Sequence, residues 1–185
     1  MGSSTAAASE VERQALDLFG RYGYPDWLRE HSLVVGRIAT VLARAHAEAG
    51  ADLAVADVAL AAYLHDLGKS PRFAGDARPH EELSAQALRA EGLGALAELA
   101  RRHPVYAPAD PALVPRDLSE RIVYYADRRG ERRVVSLAER FAGQAARHPE
   151  HAAAIAAQLG AAHAIEREVF AGLPFGPDDL AGLVG

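Results

Sequence analysis

The run Tyr63-Leu64-His65-Asp66-Leu67-Gly68-Lys69 carries the densest chemistry in this chain. An adjacent histidine and aspartate can offer an imidazole nitrogen and a carboxylate oxygen to one point in space. That mixture suits a borderline divalent transition ion better than magnesium, which favours all-oxygen sites. His31 stands upstream of the pair, and His80, His103 and Asp127 follow it. Together His31, His65, Asp66, His80, His103 and Asp127 read as a candidate metal site with room for two ions. Lys69, the only lysine in the chain, falls three residues after Asp66.

The scaffold that must bring these residues together is helical. Apolar residues recur at spacings of three and four, while alternation never lasts a strand's length. The expected fold class is all-α, a single domain over 1–185 built as a bundle of about seven to eight helices. Helices are predicted at 10–19 and at 26–49, the second started by Pro25 and ended by Gly50. Asp52 caps the next, which runs to 65 or 66 and stops at Gly68. Helices at 80–91, 95–103, 117–129 and 134–147 follow, and Pro104 ends the 95–103 segment. A final Ala-rich helix covers 149–172, and the Gly/Pro-rich tail from Gly172 is expected to fray. The proline-bearing segments 70–79 and 105–115 read as loops.

Within this frame each candidate has a chemical and a plain reading. Leu28, His31, Val35, Ile38 and Leu42 form one apolar stripe, so His31 is either a core histidine bonded to backbone or a ligand. Val58, Ala62 and His65 share a face, with Asp66 at the helix end where Gly68 lets the chain turn. The plain reading there is a C-terminal histidine favouring the helix dipole and a solvated aspartate. Asp127 lies four residues after Val123, beside an apolar stripe, where a carboxylate is costly unless paired or bound to a cation. Arg128, Arg129 and Arg132 are the alternative partners. His80 and His103 sit at helix-loop junctions, which suit converging ligands and exposed polar residues alike. His46, His148, His151 and His163 lack such placing and read as surface residues.

Composition narrows the partners. The chain has 185 residues, half of them hydrophobic, enough for one packed globular domain. A net charge of −5 argues against binding nucleic-acid duplexes or anionic membranes through a basic face. A small phosphate pocket remains compatible with it. The absence of cysteine excludes disulfides and thiolate ligands. No apolar run approaches ~20 residues, so no membrane span is expected. The first ten residues lack the basic start of a signal peptide, and the expected location is the cytoplasm.

The ordered set His31, His65-Asp66, Asp127 resembles the signature of the HD superfamily of metal-dependent phosphohydrolases. Leu67-Gly68-Lys69 is similar to the continuation in its His-Asp-Ile-Gly-Lys subgroup. The likeness covers 27–127, with 134–141 as an extension, and places an HD core at about 26–147. It implies that His31, His65, Asp66 and Asp127 bind one metal. His80 and His103 occupy the places of the extra histidines in the binuclear branch, which includes HD-type symmetrical dinucleoside tetraphosphatases. There Asp66 would bridge two ions. The cofactors implied are one or two divalent transition metals: Mn, Fe, Ni, Co or Zn. The Gly-Tyr-Pro motif of the cyclic-di-nucleotide phosphodiesterases has no counterpart, because Gly23-Tyr24-Pro25 lies far upstream of His65.

The activity implied is hydrolysis of a phosphate ester or anhydride in a small phosphorylated substrate, a nucleotide above all, by a metal-activated hydroxide. Asp66 and Lys69 are the catalytic candidates, with Lys69 placing positive charge on phosphate oxygens; otherwise Lys69 is a solvated loop lysine. Arg72, Arg78, Arg128 and Arg129 are further phosphate contacts or simply exposed. The alternative is a catalytically silent HD module that binds nucleotide or a partner protein. Specificity would lie in the loops 70–79 and 105–115, and oligomeric state is open.

Overall fold

The computed structural model describes the backbone of residues 2–184 and the side chains from Glu10 to Val184. The expectation drawn from the first ten residues therefore falls mostly on side chains outside the described set. Among the described residues there are ten α-helices and no strand. They are α1 (Gly2–Tyr22), α2 (Asp26–Glu48), α3 (Val55–Leu64), α4 (His80–Ala90) and α5 (Ala97–Arg101). Then follow α6 (Leu118–Arg129), α7 (Leu137–Arg147), α8 (Ala152–Ala157), α9 (Leu159–Phe170) and α10 (Leu180–Val184). None of them is long and apolar enough to cross a membrane.

The core is arranged around α3. Every residue from Val58 to Leu64 is buried, because α1, α2, α5 and α6 surround the helix. Each fully buried leucine there contributes roughly 1.5–3 kcal/mol. The α2 stripe of Leu28, Val35, Ile38 and Leu42 is wholly buried, and its last three members join the α3 residues in one core. The two helices meet closely at Gly36, where a Cβ would stand 2.1 Å from the Tyr63 ring. That contact fixes the register that brings His31 opposite His65.

Several predicted boundaries shift. The first helix begins at Gly2, well before residue 10. Asp52 does not cap α3: it is exposed, and Ala54 occupies the cap position while Leu53 packs on the core. The C-terminal Ala-rich stretch is two helices, α8 and α9, which accounts for part of the excess over seven to eight. The tail from Gly172 does not fray. It ends in α10, packed on α2 with Leu180 fully buried, and Arg129 donates to the Pro177 carbonyl at 2.8 Å.

Capping sets the ends of the two helices that matter downstream of the His-Asp pair. Asp117 caps α6 by accepting from Glu120 N–H at 2.9 Å, and Ser136 caps α7 by accepting from Glu139 N–H at 3.1 Å.

Candidate metal centre

His31 enters from the first turns of α2, and His65 closes α3. Asp66 begins a single 3-10 turn, Leu67–Lys69. That turn is docked on the start of α4: Gly68 N–H donates to Ser84 Oγ at 2.8 Å, and Ser84 Oγ donates to the His80 carbonyl at 2.8 Å. Gly68 has no left-handed backbone, contrary to the expected turn. Its role is close approach, since a Cβ there would stand 2.0 Å from the His80 carbonyl oxygen. His103 follows α5, and Asp127 lies in the last turn of α6.

The six candidates converge, and the two oxygens of Asp66 face different groups. Asp66 Oδ2 lies 3.3 Å from His65 Nε2 and 3.6 Å from His31 Nε2. Asp127 Oδ1 joins this half, 3.2 Å from His31 Nε2 and 3.7 Å from His65 Nε2. Asp66 Oδ1 instead lies 3.3 Å from His103 Nε2 and 3.5 Å from His80 Nε2, which are 3.0 Å from each other. His31, His65, Asp66, His103 and Asp127 are all buried.

Hydrogen bonding on the far side of two rings decides what their near sides can do. His65 Nδ1 donates to the Ala62 carbonyl at 2.7 Å, and His103 Nδ1 to the Ala100 carbonyl at 2.5 Å. In the neutral ring this leaves Nε2 as a lone pair facing the aspartates. Asp66 Oδ1 is buried without a hydrogen-bond donor. Acceptors therefore face acceptors, an arrangement that a bound cation resolves. The donor set of imidazole nitrogens and carboxylate oxygens fits a divalent transition ion.

The charge states agree with ligation. Burial pushes His31 down to about 4 despite Asp127 and Asp66, so its ring is neutral near pH 7. Burial and the Lys69 charge hold His80 well below the usual histidine range. Burial opposes ionisation of Asp66, but His65 and Lys69 outweigh it and keep the carboxyl well below its ordinary value. Asp127 is likewise held well down, against burial, by Arg128, His31 and His65. His65 runs the other way: burial is outweighed by Asp66 and Asp127, which raise it overall.

Cationic side chains ring the cluster. Lys69 Nζ is 2.9 Å from Asp66 Oδ2, so the loop lysine points into the centre. Asp127 is paired with Arg128, one of the partners expected for it, and also faces His31. Arg140 of α7 donates to Asp127 as well, and the sequence carried no sign of this. An i,i+4 rule finds neighbours on one helix, whereas Arg140 arrives from the next one. Arg128 and Arg129 are buried, not exposed. Arg128 lines the site, while Arg129 is tied to Glu166 and the Pro177 carbonyl. Arg72 lies over the Tyr22 ring and Arg78 pairs with Asp76, so neither is at the cluster.

Two cavities open on the centre, of about 450 and 580 Å³. The first reaches His80 and His103 and has Tyr106 and Ile155 in its wall. The second reaches His31 and Asp66 and is bordered by Trp27 and Arg147. Lys69, Arg140, Gln144 and His148 belong to both. His148 and His151 are exposed as expected, yet they lie at the cavity margin. His163 is half-buried beside Glu166 at 3.2 Å. His46 is not a surface residue: it is buried, with Nε2 2.7 Å from the Val169 carbonyl of α9.

No curated protein and no solved structure gives a significant match to this chain. The family model "HD domain" matches residues 28–130, more than half of its length. That span starts in the first turn of α2 and ends just past Asp127, enclosing all six converging residues. The chain therefore belongs to the HD domain family, a group of metal-dependent phosphohydrolases in general.

Proposed function

We propose that this protein hydrolyses a phosphate ester or anhydride of a nucleotide, using two divalent transition ions that share Asp66. The observation that carries this reading is the division of the Asp66 carboxylate, Oδ2 toward His31 and His65 and Oδ1 toward His80 and His103. On this reading His31, His65, Asp127 and Asp66 would hold one ion, and His80, His103 and Asp66 would hold the other. Bound there, the ions supply positive charge and lower the pKa of water at neutral pH.

The protein's own contribution is binding and orientation. Lys69 has a side chain 37% exposed and stands between the two cavities, where it orients a phosphoryl oxygen. Arg128 and Arg140 keep Asp127 ionised and add charge at the phosphate side. Among the described residues three large hydrophobic side chains are exposed, and two of them, Trp27 (51%) and Tyr106 (42%), border the cavities. Aromatic faces at such borders suit the stacking of a nucleobase, which supports a nucleotide as substrate.

The test is phosphate release with Mn²⁺ from mononucleotides, triphosphates and dinucleoside polyphosphates, with Asp66→Ala as control. Turnover by wild type alone supports the reading and names the substrate class. Silence across the panel with metal confirmed bound would overturn the nucleotide assignment.

A further inference from the structure

Glu81, the second residue of α4, is a buried carboxylate beside the centre that the set of ligands leaves unused. It is 2% exposed. One oxygen, Oε1, accepts from the Tyr106 hydroxyl. The other, Oε2, is buried without an aligned donor and stands 3.3 Å from His80 Nδ1.

The position of His80 in its helix explains why it needs this neighbour. A histidine that presents Nε2 to a metal must place the Nδ1 proton on an acceptor, which fixes both tautomer and ring orientation. His65 and His103 each use the carbonyl three residues back, at the C-terminal end of a helix. His80 is the first residue of α4 and follows Pro79, so no helical turn precedes it. Among the described residues the acceptor beside its Nδ1 is the Glu81 carboxylate.

We propose that Glu81 is a positioning residue, holding His80 as the Nδ1–H tautomer with Nε2 toward Asp66, and that Tyr106 in turn holds Glu81. The proposal rests on the two-ion reading above for its metal consequences. Tyr106 lies in the wall of the 450 Å³ cavity, so a single chain of contacts runs from the substrate side through Glu81 to the His80 half of the centre. The His31 half has no part in that chain. Glu81 variants therefore affect the two halves unequally.

A carboxylate in the first turn of a helix is favourable whatever it touches, so stability alone does not separate positioning from a structural role. Glu81→Gln keeps the shape and can still accept from Tyr106, but it removes the carboxylate oxygen that faces Nδ1. Tyr106→Phe removes the outer contact at the cavity wall and serves if Glu81→Gln fails to fold. Two measurements are made on each: Mn²⁺ titration by calorimetry, and the ¹⁵N shifts of the His80 ring in the metal-free protein. The expected result for Glu81→Gln is weakening of one of two binding events by about 10–100-fold, with the other unchanged. The His80 shifts move from a single Nδ1–H form to a tautomer mixture, and Tyr106→Phe gives a smaller change of the same kind. Unchanged titrations and unchanged shifts would overturn the proposal, as would equal weakening of both events. If wild type binds one ion only, the two-ion reading fails, yet the ring shifts still decide the role of Glu81.

Discussion

Arg140 grips Asp127 at two points: Nε donates to its backbone carbonyl at 3.2 Å and Nη2 to its Oδ1 at 3.1 Å. A planar guanidinium that never loses its charge is suited to both tasks. The contact joins α7 to α6 and aims the carboxylate at His31. Replacing Arg140 by Ala should lower kcat/KM about 10–100-fold with helix content retained, and Arg140→Lys should recover only part of it. Steady-state kinetics beside circular dichroism checks this. Wild-type kcat/KM in Arg140→Ala would remove Arg140 from the site.

Asp66→Ala deletes the carboxylate common to both halves of the centre. Activity should be lost and metal per chain, read by elemental analysis, should fall, while the far-ultraviolet spectrum stays that of wild type. His163→Ala, at the half-buried pair with Glu166, should alter neither. Full activity in Asp66→Ala would refute the centre.

Gly68 tests whether the His-Asp turn must lie against α4. An added Cβ meets the His80 carbonyl at 2.0 Å and Leu83 Cβ at 2.8 Å, so backbone must move. Gly68→Ala should destabilise the fold by about 1–3 kcal/mol and weaken metal binding by displacing His80. Denaturant melts and Mn²⁺ titration read both effects; a variant as stable and as tightly binding as wild type would contradict the close docking.

The metal-free protein should lose stability on mild acidification. His31 is near 4 in the fold against 6.5 as the ordinary value, so below pH 6.5 the unfolded chain binds more protons and is favoured. From pH 6.5 to 5 this costs roughly 2 kcal/mol, or about 4–8 °C in Tm for a chain of this size. His80, also lowered by burial and Lys69, acts with the same sign. His65 acts oppositely, since its raised value stabilises the fold at low pH and that contribution fades as pH rises through it. The depressed values of Asp66 and Asp127 place their losses below this window. Thermal melts at pH 7 and 5 on wild type and His31→Asn measure the effect, which should shrink in the variant. Equal melting points for wild type at both pH values would argue against a neutral buried His31.

Trp27 is the only tryptophan in the chain, so intrinsic fluorescence reports on one border of the cavity near His31. Adding a non-hydrolysable nucleotide analogue to the metal-loaded wild type should quench it. Trp27→Ala should raise KM by roughly 5–150-fold, the equivalent of about 1–3 kcal/mol of stacking, with kcat little changed. No quenching and an unchanged KM would place the base elsewhere.

Four of the converging residues were legible in the sequence because each is tied to a local rule. His31 falls in an apolar stripe of period 3.6, His65-Asp66 falls at a helix end, and Asp127 falls four residues after a core valine. These are short-range patterns, and they also sufficed for the all-α class and for most helix positions. Where the rules were applied at the C-terminal end they failed: the tail from Gly172 was expected to fray, yet Leu180 is fully buried. Burial of Leu180 depends on a surface supplied by distant residues, which no local window contains.

What only tertiary structure decided are the contacts between side chains far apart in the chain. The sequence by itself determined which residue types could ligate and on which helices they stand. It could not tell that Asp66 turns its two oxygens to different histidine pairs, because that depends on the docking of the Gly68 turn against His80. Nor could it find Arg140 on Asp127 or His46 on the Val169 carbonyl, since both join residues far apart in the chain. Hydrophobic periodicity specifies the face that a helix buries; the partner that covers the face is fixed by close packing of the whole core.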